Sequence, residues 1–383
     1  MKITDLKMIH IKPRWMFLKI ETDEGIFGWG EPVVEGRART VETAVNELRS
    51  ILIGQDPLKT QHLWQLMYRG TFYRGGPILC SAISGIEMAL WDIKGKYYNI
   101  PVYQMLGGKC RDKVRMYGHL KPAGHRGDFP IEDMIAIADK RLKEGFDVVK
   151  YSVIPPIRPI DNKVMCEAIV ERFSRIRDFV GKGIDIAVDF HGRVSPAMSV
   201  RLLKELEPYY PLFVEEPVLP ENVDEMVRVS RSTTIPIAAG ERLFTKFGFR
   251  ELIEKSAVSV VQPDLCHCGG IFEARLIAAM AETYYMQIAP HNPLGPISLA
   301  ACLQLDAVVP NLLAQEHPGM PNHQDLGEGI LKKPFTIEKG YICIPDGPGL
   351  GIEVDENALN TLKFDGTWDT PHLFYDDGSV AEW

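Results

Sequence analysis

The sequence predicts an α/β fold: a modified (β/α)8 TIM-type barrel with an α+β N-terminal capping domain that the C-terminal segment completes. Three observations carry this prediction. In the middle of the chain, apolar runs end in polar groups at Asp189, Glu215, Glu241, Asp264, His291 and Glu316, in steps of about 23 to 27 residues. One strand, one helix and two loops of a barrel need about that span. The first part of the chain reads as strands followed by helices, which marks a separate α+β unit. After Lys332 short strands return, and the aromatic tail from Phe364 to Trp383 needs a surface to dock on. The first domain is the obvious surface, so three regions are expected: residues 1–110 as the cap, 111–333 as the barrel, and 334–383 as the segment returning to the cap.

Taken in order, Ile3 to Pro13, Met16 to Glu21 and Ile26 to Gly30 form an antiparallel meander, turning at Thr22-Asp-Glu-Gly25. Helices are predicted over Thr40 to Leu52, Thr60 to Met67 and Ser81 to Tyr98. The last has Ile83, Ile86, Ala89, Leu90 and Ile93 at helical spacing. The glycine pair Gly107-Gly108 ends helical character. Strand Val114 to Tyr117 begins the barrel, and a loop runs from His119 to Phe129. Helix Ile131 to Glu144, strand Asp147 to Tyr151 and helix Asp161 to Phe179 follow. Six further units carry the polar strand ends, giving about eight strands, the number a closed barrel needs. Beyond Lys332 the strands are Phe335 to Glu338, Tyr341 to Pro345 and Gly351 to Val354.

Composition narrows the function classes. At 383 residues the chain exceeds one ordinary core, and 45% hydrophobic with 25% charged residues is the make-up of a globular protein rather than a disordered one. A net charge of −8 gives no pull toward nucleic acid or anionic membrane. No apolar run reaches the roughly 18 residues of a membrane span, and the start lacks a signal-peptide core, so a cytoplasmic enzyme is expected. Seven scattered cysteines form no disulfide framework, and Cys266-His267-Cys268 lacks the second ligand pair of a zinc site.

The chemistry gathers at strand ends, where barrels of this kind place their functional groups. In Ala187-Val-Asp-Phe-His-Gly-Arg193 a strand period of two sends Asp189 and His191 to the same side. Asp189, Glu215 and Glu241 end three consecutive strands and offer three oxygen ligands, for which Mg²⁺ is the natural occupant. A lone carboxylate there would more simply sit in a barrel salt bridge; the even spacing of three argues otherwise. Asp264 and His291 end adjacent strands, so a carboxylate can hold one imidazole nitrogen and leave the other to take a proton. Lys150 ends the second strand and suits neutralising a substrate carboxylate. Glu316, if protonated, suits hydrogen bonding to it.

These residues also carry a resemblance. Asp189-Phe-His191, Val214-Glu-Glu-Pro217, Ala239-Gly-Glu-Arg242, Gln262-Pro-Asp264 and Ala289-Pro-His291, behind a capping meander, resemble the mandelate racemase subgroup of the enolase superfamily. The likeness runs along nearly the whole chain, through Pro13-Arg-Trp-Met-Phe-Leu-Lys-Ile-Glu-Thr-Asp-Glu-Gly25, Tyr73-Arg-Gly-Gly-Pro-Ile78, Ala89-Leu-Trp-Asp-Ile-Lys-Gly95, His291-Asn-Pro-Leu-Gly-Pro296 and Ser379-Val-Ala-Glu-Trp383. It implies that Asp189, Glu215 and Glu241 bind Mg²⁺, that the Asp264-His291 pair is the base and that His191 is the general acid. Lys150 and Glu316 complete the catalytic set. Arg14, Trp15, His125 and Arg126 join those two as the substrate-binding candidates.

The implied reaction is dehydration of a sugar acid, an aldonate such as D-galactonate, to a 2-keto-3-deoxy acid. Racemases of the subgroup carry Lys-X-Lys on the second strand; here Lys150-Tyr-Ser152 stands there, and Ser152 is no base. One-base elimination therefore fits better than racemisation, with another aldonate such as gluconate, an epimerase or a cycloisomerase as alternatives. A third reading is a protein that binds sugar acids or a partner without chemistry, against which both histidines argue. The loop from Gly118 to Phe129 is longer and more basic than a galactonate enzyme leads one to expect, and His125 and Arg126 either reach distal hydroxyls or are solvated charges. Symmetric homo-oligomers are common in the family.

Overall fold

The computed structural model of the chain describes residues 1–121, 130–152, 157–370 and 372–382. The cap opens with a meander of β1 (Ile3–Ile11), β2 (Trp15–Thr22) and β3 (Phe27–Gly30). β2 is the central strand and nearly all of it is buried, with Trp15 to Leu18 as an unbroken apolar run. Helices α1 (Ala38–Leu52), α2 (Thr60–Arg69), α3 (Pro77–Tyr98) and the short α4 (Val102–Met105) follow.

Helix α3 is the keel of the cap. Pro77 starts it, where the missing N–H is not needed, and Asn99 stops it with a left-handed φ of 55°. The meander packs so closely on α3 that a Cβ on Gly30 would stand 1.9 Å from the Gly85 carbonyl oxygen. Only glycine admits that approach.

Eight parallel strands make the barrel: β4 (Lys113–His119), β5 (Val148–Ser152), β6 (Asp185–Asp189), β7 (Phe213–Glu215), β8 (Ile237–Ala239), β9 (Val260–Val261), β10 (Gln287–Ile288) and β11 (Gln315–His317). Each from β4 to β10 pairs in parallel with its successor, apart from the last step, where a bridge between Ile288 and Leu312 does the joining. β11 pairs with β4 and closes the ring. Helices α5 (Ile131–Lys143), α6 (Lys163–Val180), α7 (Pro196–Leu206), α8 (Val223–Ser230), α9 (Thr245–Glu254), α10 (Ile271–Glu282) and α11 (Pro296–Asp306) follow the first seven strands. A 3₁₀ turn, Pro321–Leu326, takes the place of an eighth helix after β11.

The barrel is filled rather than hollow. Tyr117, Val148, Ala187, Phe213, Ala238, Val260, Ala289 and Ala314, one side chain from each strand or its edge, form a buried cluster of mixed sizes. The polar strand ends stand above this floor. β9 and β10 are shorter than their apolar runs suggest, because Pro263 and Pro290 have no N–H to extend the ladder.

The end of the chain joins both halves. β12 (Ile337–Glu338) and β13 (Tyr341–Cys343) add antiparallel strands to the N-terminal end of β4, away from the polar mouth. Gly351 to Val354, expected as a strand, contributes only a bridge from Val354 to Leu331. After α12 (Glu356–Leu362) the chain reaches the cap: Lys12 N donates to the Leu362 carbonyl at 2.9 Å, and Arg39 pairs with Asp365 at 2.8 Å. Among the described residues no helix is long and apolar enough to cross a membrane.

Candidate active site

The opening stretch of the site reaches its geometry by a turn. β6 ends at Asp189, and His191 has a left-handed φ of 50°, so the pleat does not extend to it. The two side chains nevertheless meet, as expected of them. Asp189 Oδ1 accepts the His191 backbone N–H at 2.9 Å, and Asp189 Oδ2 stands 3.1 Å from His191 Nε2. Burial holds the His191 pKa below its ordinary value, against the pull of Asp189 and Glu241.

Across the mouth, Asp264 and His291 form a parallel bridge, and His291 Nδ1 lies 2.7 Å from Asp264 Oδ2. β6 and β10 are four strands apart in a ring of eight, so the two imidazoles stand on opposite flanks. His291 Nε2 lies 2.8 Å from Glu241 Oε2 and 4.0 Å from Glu316 Oε2. Burial would lower its pKa, but Glu241, Glu316 and the bond to Asp264 outweigh burial and hold it well above the ordinary range. An imidazolium gripped in this way becomes a base only when Glu241 lets go of Nε2 and Nε2 gives up its proton.

Between the flanks lies a row of buried acids around one ammonium. Lys150 Nζ stands 2.7 Å from Glu215 Oε2, 2.8 Å from Glu316 Oε1 and 3.3 Å from Asp189 Oδ2. Its burial is outweighed by these three carboxylates, so it stays charged well above its usual pKa. Glu316 also lies 2.7 Å from His119 Nε2 and accepts the Asn292 backbone N–H at 2.7 Å. That surrounding works against the condition set for Glu316, that it be protonated: burial would raise its carboxyl, but Lys150, His291 and His119 overcome burial and hold it well below the usual range. In this arrangement it has no proton to offer a substrate.

The other candidates divide. Arg14 Nη2 donates to the Pro293 carbonyl at 3.0 Å and its guanidinium stacks on Trp368, which puts it beside the His291 segment. Trp15 is fully buried in the cap, stacked with Phe17, so the expected substrate contact is not available to it. The indole serves instead as packing behind Gly295. His125 and Arg126 lie outside the described residues.

A model of the enolase C-terminal domain-like family matches residues 133–358, and one of the mandelate racemase/muconate lactonizing enzyme N-terminal domain matches residues 9–107. The chain belongs to the enolase superfamily, mandelate racemase subgroup. Its relatives in that family include the D-galactonate dehydratase of Ralstonia pickettii (strain 12J), 51% identical over the full length of both chains. That of Cronobacter sakazakii is 50% identical, again over the whole of both. Among solved structures, the mandelate racemase/muconate lactonizing enzyme from Sulfitobacter sp. superposes with a TM-score of 0.88 at 33% identity, covering 95% of this chain and 96% of its own. An enolase superfamily member from Salmonella Typhimurium gives 0.88 at 32% identity, covering 94% and 97%.

The family's general use of Mg²⁺ can be tested against the acids present. Asp189 and Glu215 are directly paired across β6 and β7, and Glu241 lies two residues beyond β8. They are not gathered to one point: among the described residues no three His, Cys, Asp or Glu are placed to hold a metal ion, since Lys150 stands between Asp189 and Glu215 and Glu241 is turned to His291. The donor chemistry nevertheless fits. Glu215 Oε1 is buried with no hydrogen-bond partner among the described residues, and burial beside Asp189 pushes the carboxyl up to about 8. Crowded hard oxygens with one unmatched are a donor set for a divalent cation.

Several contributors escaped the sequence reading. His119 ends the first barrel strand, the same signal that picked out the others, but the strand was expected to stop at Tyr117. Gln262 Nε2 donates to Glu215 Oε2 at 2.8 Å. Arg242 clamps Glu216 through Nε at 2.8 Å and Nη2 at 2.7 Å, a bidentate bond that no spacing announces.

Proposed function

We propose that the chain is a hydro-lyase that removes water from a sugar acid, D-galactonate in the first instance, to leave a 2-keto-3-deoxy acid. The observation that carries the reaction type is the opposed pair of histidines, His291 held by Asp264 at 2.7 Å and His191 four strands away, with Ser152 rather than a second base at the end of β5. One base and one acid on opposite flanks are what an elimination needs. The names of the two full-length relatives support an aldonate, and D-galactonate among aldonates.

Asp189, Glu215 and Glu241 would hold Mg²⁺, which when bound supplies a Lewis acid for the substrate's carboxylate and 2-hydroxyl. The chain's own residues do the rest. Lys150 offers an ammonium to the carboxylate as charge builds there. Asp264 holds Nδ1 of His291, so Nε2, once released by Glu241 and deprotonated, takes the proton from C2. The C3–O bond then breaks, and His191, entering the step as the imidazolium that Asp189 and Glu241 favour against burial, gives the departing 3-hydroxyl the proton with which it leaves as water. The enol that remains gains a proton at C3 as its 2-hydroxyl gives one up to solvent, and becomes the 2-keto acid. Glu316 keeps Lys150 in place rather than lending a proton.

A panel of purified six-carbon aldonates, assayed for 2-keto acid with Mg²⁺ present, tests this. The expected result is turnover with galactonate preferred over gluconate. No product from any of them overturns the proposal, and exchange of the C2 proton in D₂O without loss of water favours an epimerase instead. Self-association into a symmetric oligomer belongs to the same proposal, and light scattering on the purified chain checks it.

A further inference from the structure

The segment that carries His291 is gripped from both domains. From the barrel, Asp264 meets His291 Nδ1 and Glu316 accepts the Asn292 N–H, each at 2.7 Å. From the cap, Arg14 donates to the Pro293 carbonyl at 3.0 Å. Glu31, directly after β3, accepts the Gly295 N–H on Oε1 at 2.8 Å and the Ser298 N–H on Oε2 at 2.9 Å. Both oxygens of this fully buried acid are therefore spent on one short stretch of another domain.

The stretch needs that help. Gly295 is the residue before α11, where a capping side chain would normally satisfy the first N–H groups, and glycine has none. Glu31 supplies the cap from 264 residues away in the sequence. A Cβ on Gly295 would stand 2.6 Å from Glu31 Oε1, so the glycine also makes room for the acid.

We propose that Glu31, seconded by Arg14, is a positioning residue for the base: through it the cap sets the place of the His291 imidazole. The inference rests on the reading of His291 as the base. Without the Glu31 carboxyl, two buried N–H groups lose their acceptor and the segment from His291 to Ser298 has to move to satisfy them. A merely structural role would lower stability without changing the rate of each folded molecule.

The test uses the full chain with Glu31→Ala and Glu31→Gln, and Asp92→Asn as a control. Asp92 is an equally buried seam acid that bonds Trp29 N, Leu350 N and Lys96, none of them in the His291 segment. Readouts are kcat, KM and the C2 deuterium isotope effect with galactonate, and hydrogen exchange of the amides in 291–298. Since a misplacement of about 1 Å can cost about 10²-fold in rate, Glu31→Ala is expected to lower kcat by about 10- to 100-fold, with KM within about threefold. The isotope effect rises, exchange across 291–298 speeds up, and Glu31→Gln, which keeps one acceptor, falls between. Asp92→Asn loses thermal stability but keeps kcat. Unchanged exchange at 291–298 in both Glu31 variants overturns the proposal, as does an equal kcat loss in Asp92→Asn. If the wild-type chain dehydrates no aldonate, the functional reading fails while the exchange data still decide whether Glu31 fixes the segment. If Glu31→Ala does not fold, Glu31→Gln and Arg14→Met carry the comparison.

Discussion

At the mouth of the barrel Glu215 keeps one buried oxygen without a partner among the described residues, whereas at the seam between the cap and the rest of the chain every carboxyl oxygen of Glu31, Glu87 and Asp92 accepts a backbone N–H. Glu87 takes the first two N–H groups of α10, as Glu31 takes those of the α11 start. The seam acids hold helix ends and loops that come from a different part of the chain. The mouth acids face one another around Lys150, and repulsion among them is relieved only in part. Burial costs both groups; the seam is compensated by hydrogen bonds, and the mouth keeps its unmatched charge for a ligand.

The contrast can be broken most forcefully at the base. His291→Asn is expected to lower kcat by about 10² to 10⁴-fold, the range that positioned proton transfer contributes, while the thermal midpoint stays near that of the wild type. A variant that loses its fold along with its activity would show that His291 belongs with the structural groups of the seam.

A second measurement compares the two kinds of acid for stability. Asp92→Asn takes an acceptor from a fully buried set of donors and is expected to cost about 1–3 kcal/mol in a urea titration. Glu215→Gln replaces an acid whose ionised form burial and Asp189 disfavour, so the fold is expected to keep or gain stability as dehydration is lost. Equal losses from both would erase the distinction.

The smallest effect expected is in pH dependence. Burial, with a smaller push from Glu273, outweighs the hydrogen bonds and raises Glu87 from 4.5 to about 8. Between those values the folded chain keeps a proton that the unfolded chain has lost, so stability from this group is full below 4.5 and falls as pH rises toward 8. The urea midpoint should be higher at pH 5 than at pH 8, and Glu87→Gln should narrow the difference. An unaltered slope would mean that the N–H donors of α10 keep Glu87 ionised.

Much of the site could be read before any fold was known, since strand ends recur at even spacing and polar residues there stand out against apolar runs. Asp189, His191, Asp264 and His291 came into view in that way, and the pairing of the last two follows from their being on adjacent strands. His119 gives the same signal and was missed only because a glycine before it made the strand look shorter. Glu316 came into view in the same way, but its protonation was left as a condition, because no local pattern tells that Lys150 and His119 share its oxygen. Trp15 drew attention beside Arg14, yet Arg14 stands in the turn before β2 with its guanidinium on the Pro293 carbonyl, whereas Trp15 opens the buried strand and only packs its indole behind Gly295.

Taken alone, the order of residues determined the barrel, its cap and the row of acids and imidazoles at its mouth, because periodicity and the chemistry of a strand end are local properties. The partners of those groups were decided by the tertiary structure. Lys150 meets Glu316 across 166 residues, and Glu31 reaches Gly295 across 264. Burial, which sets the charge each acid carries, exists only once such distant segments have closed around it.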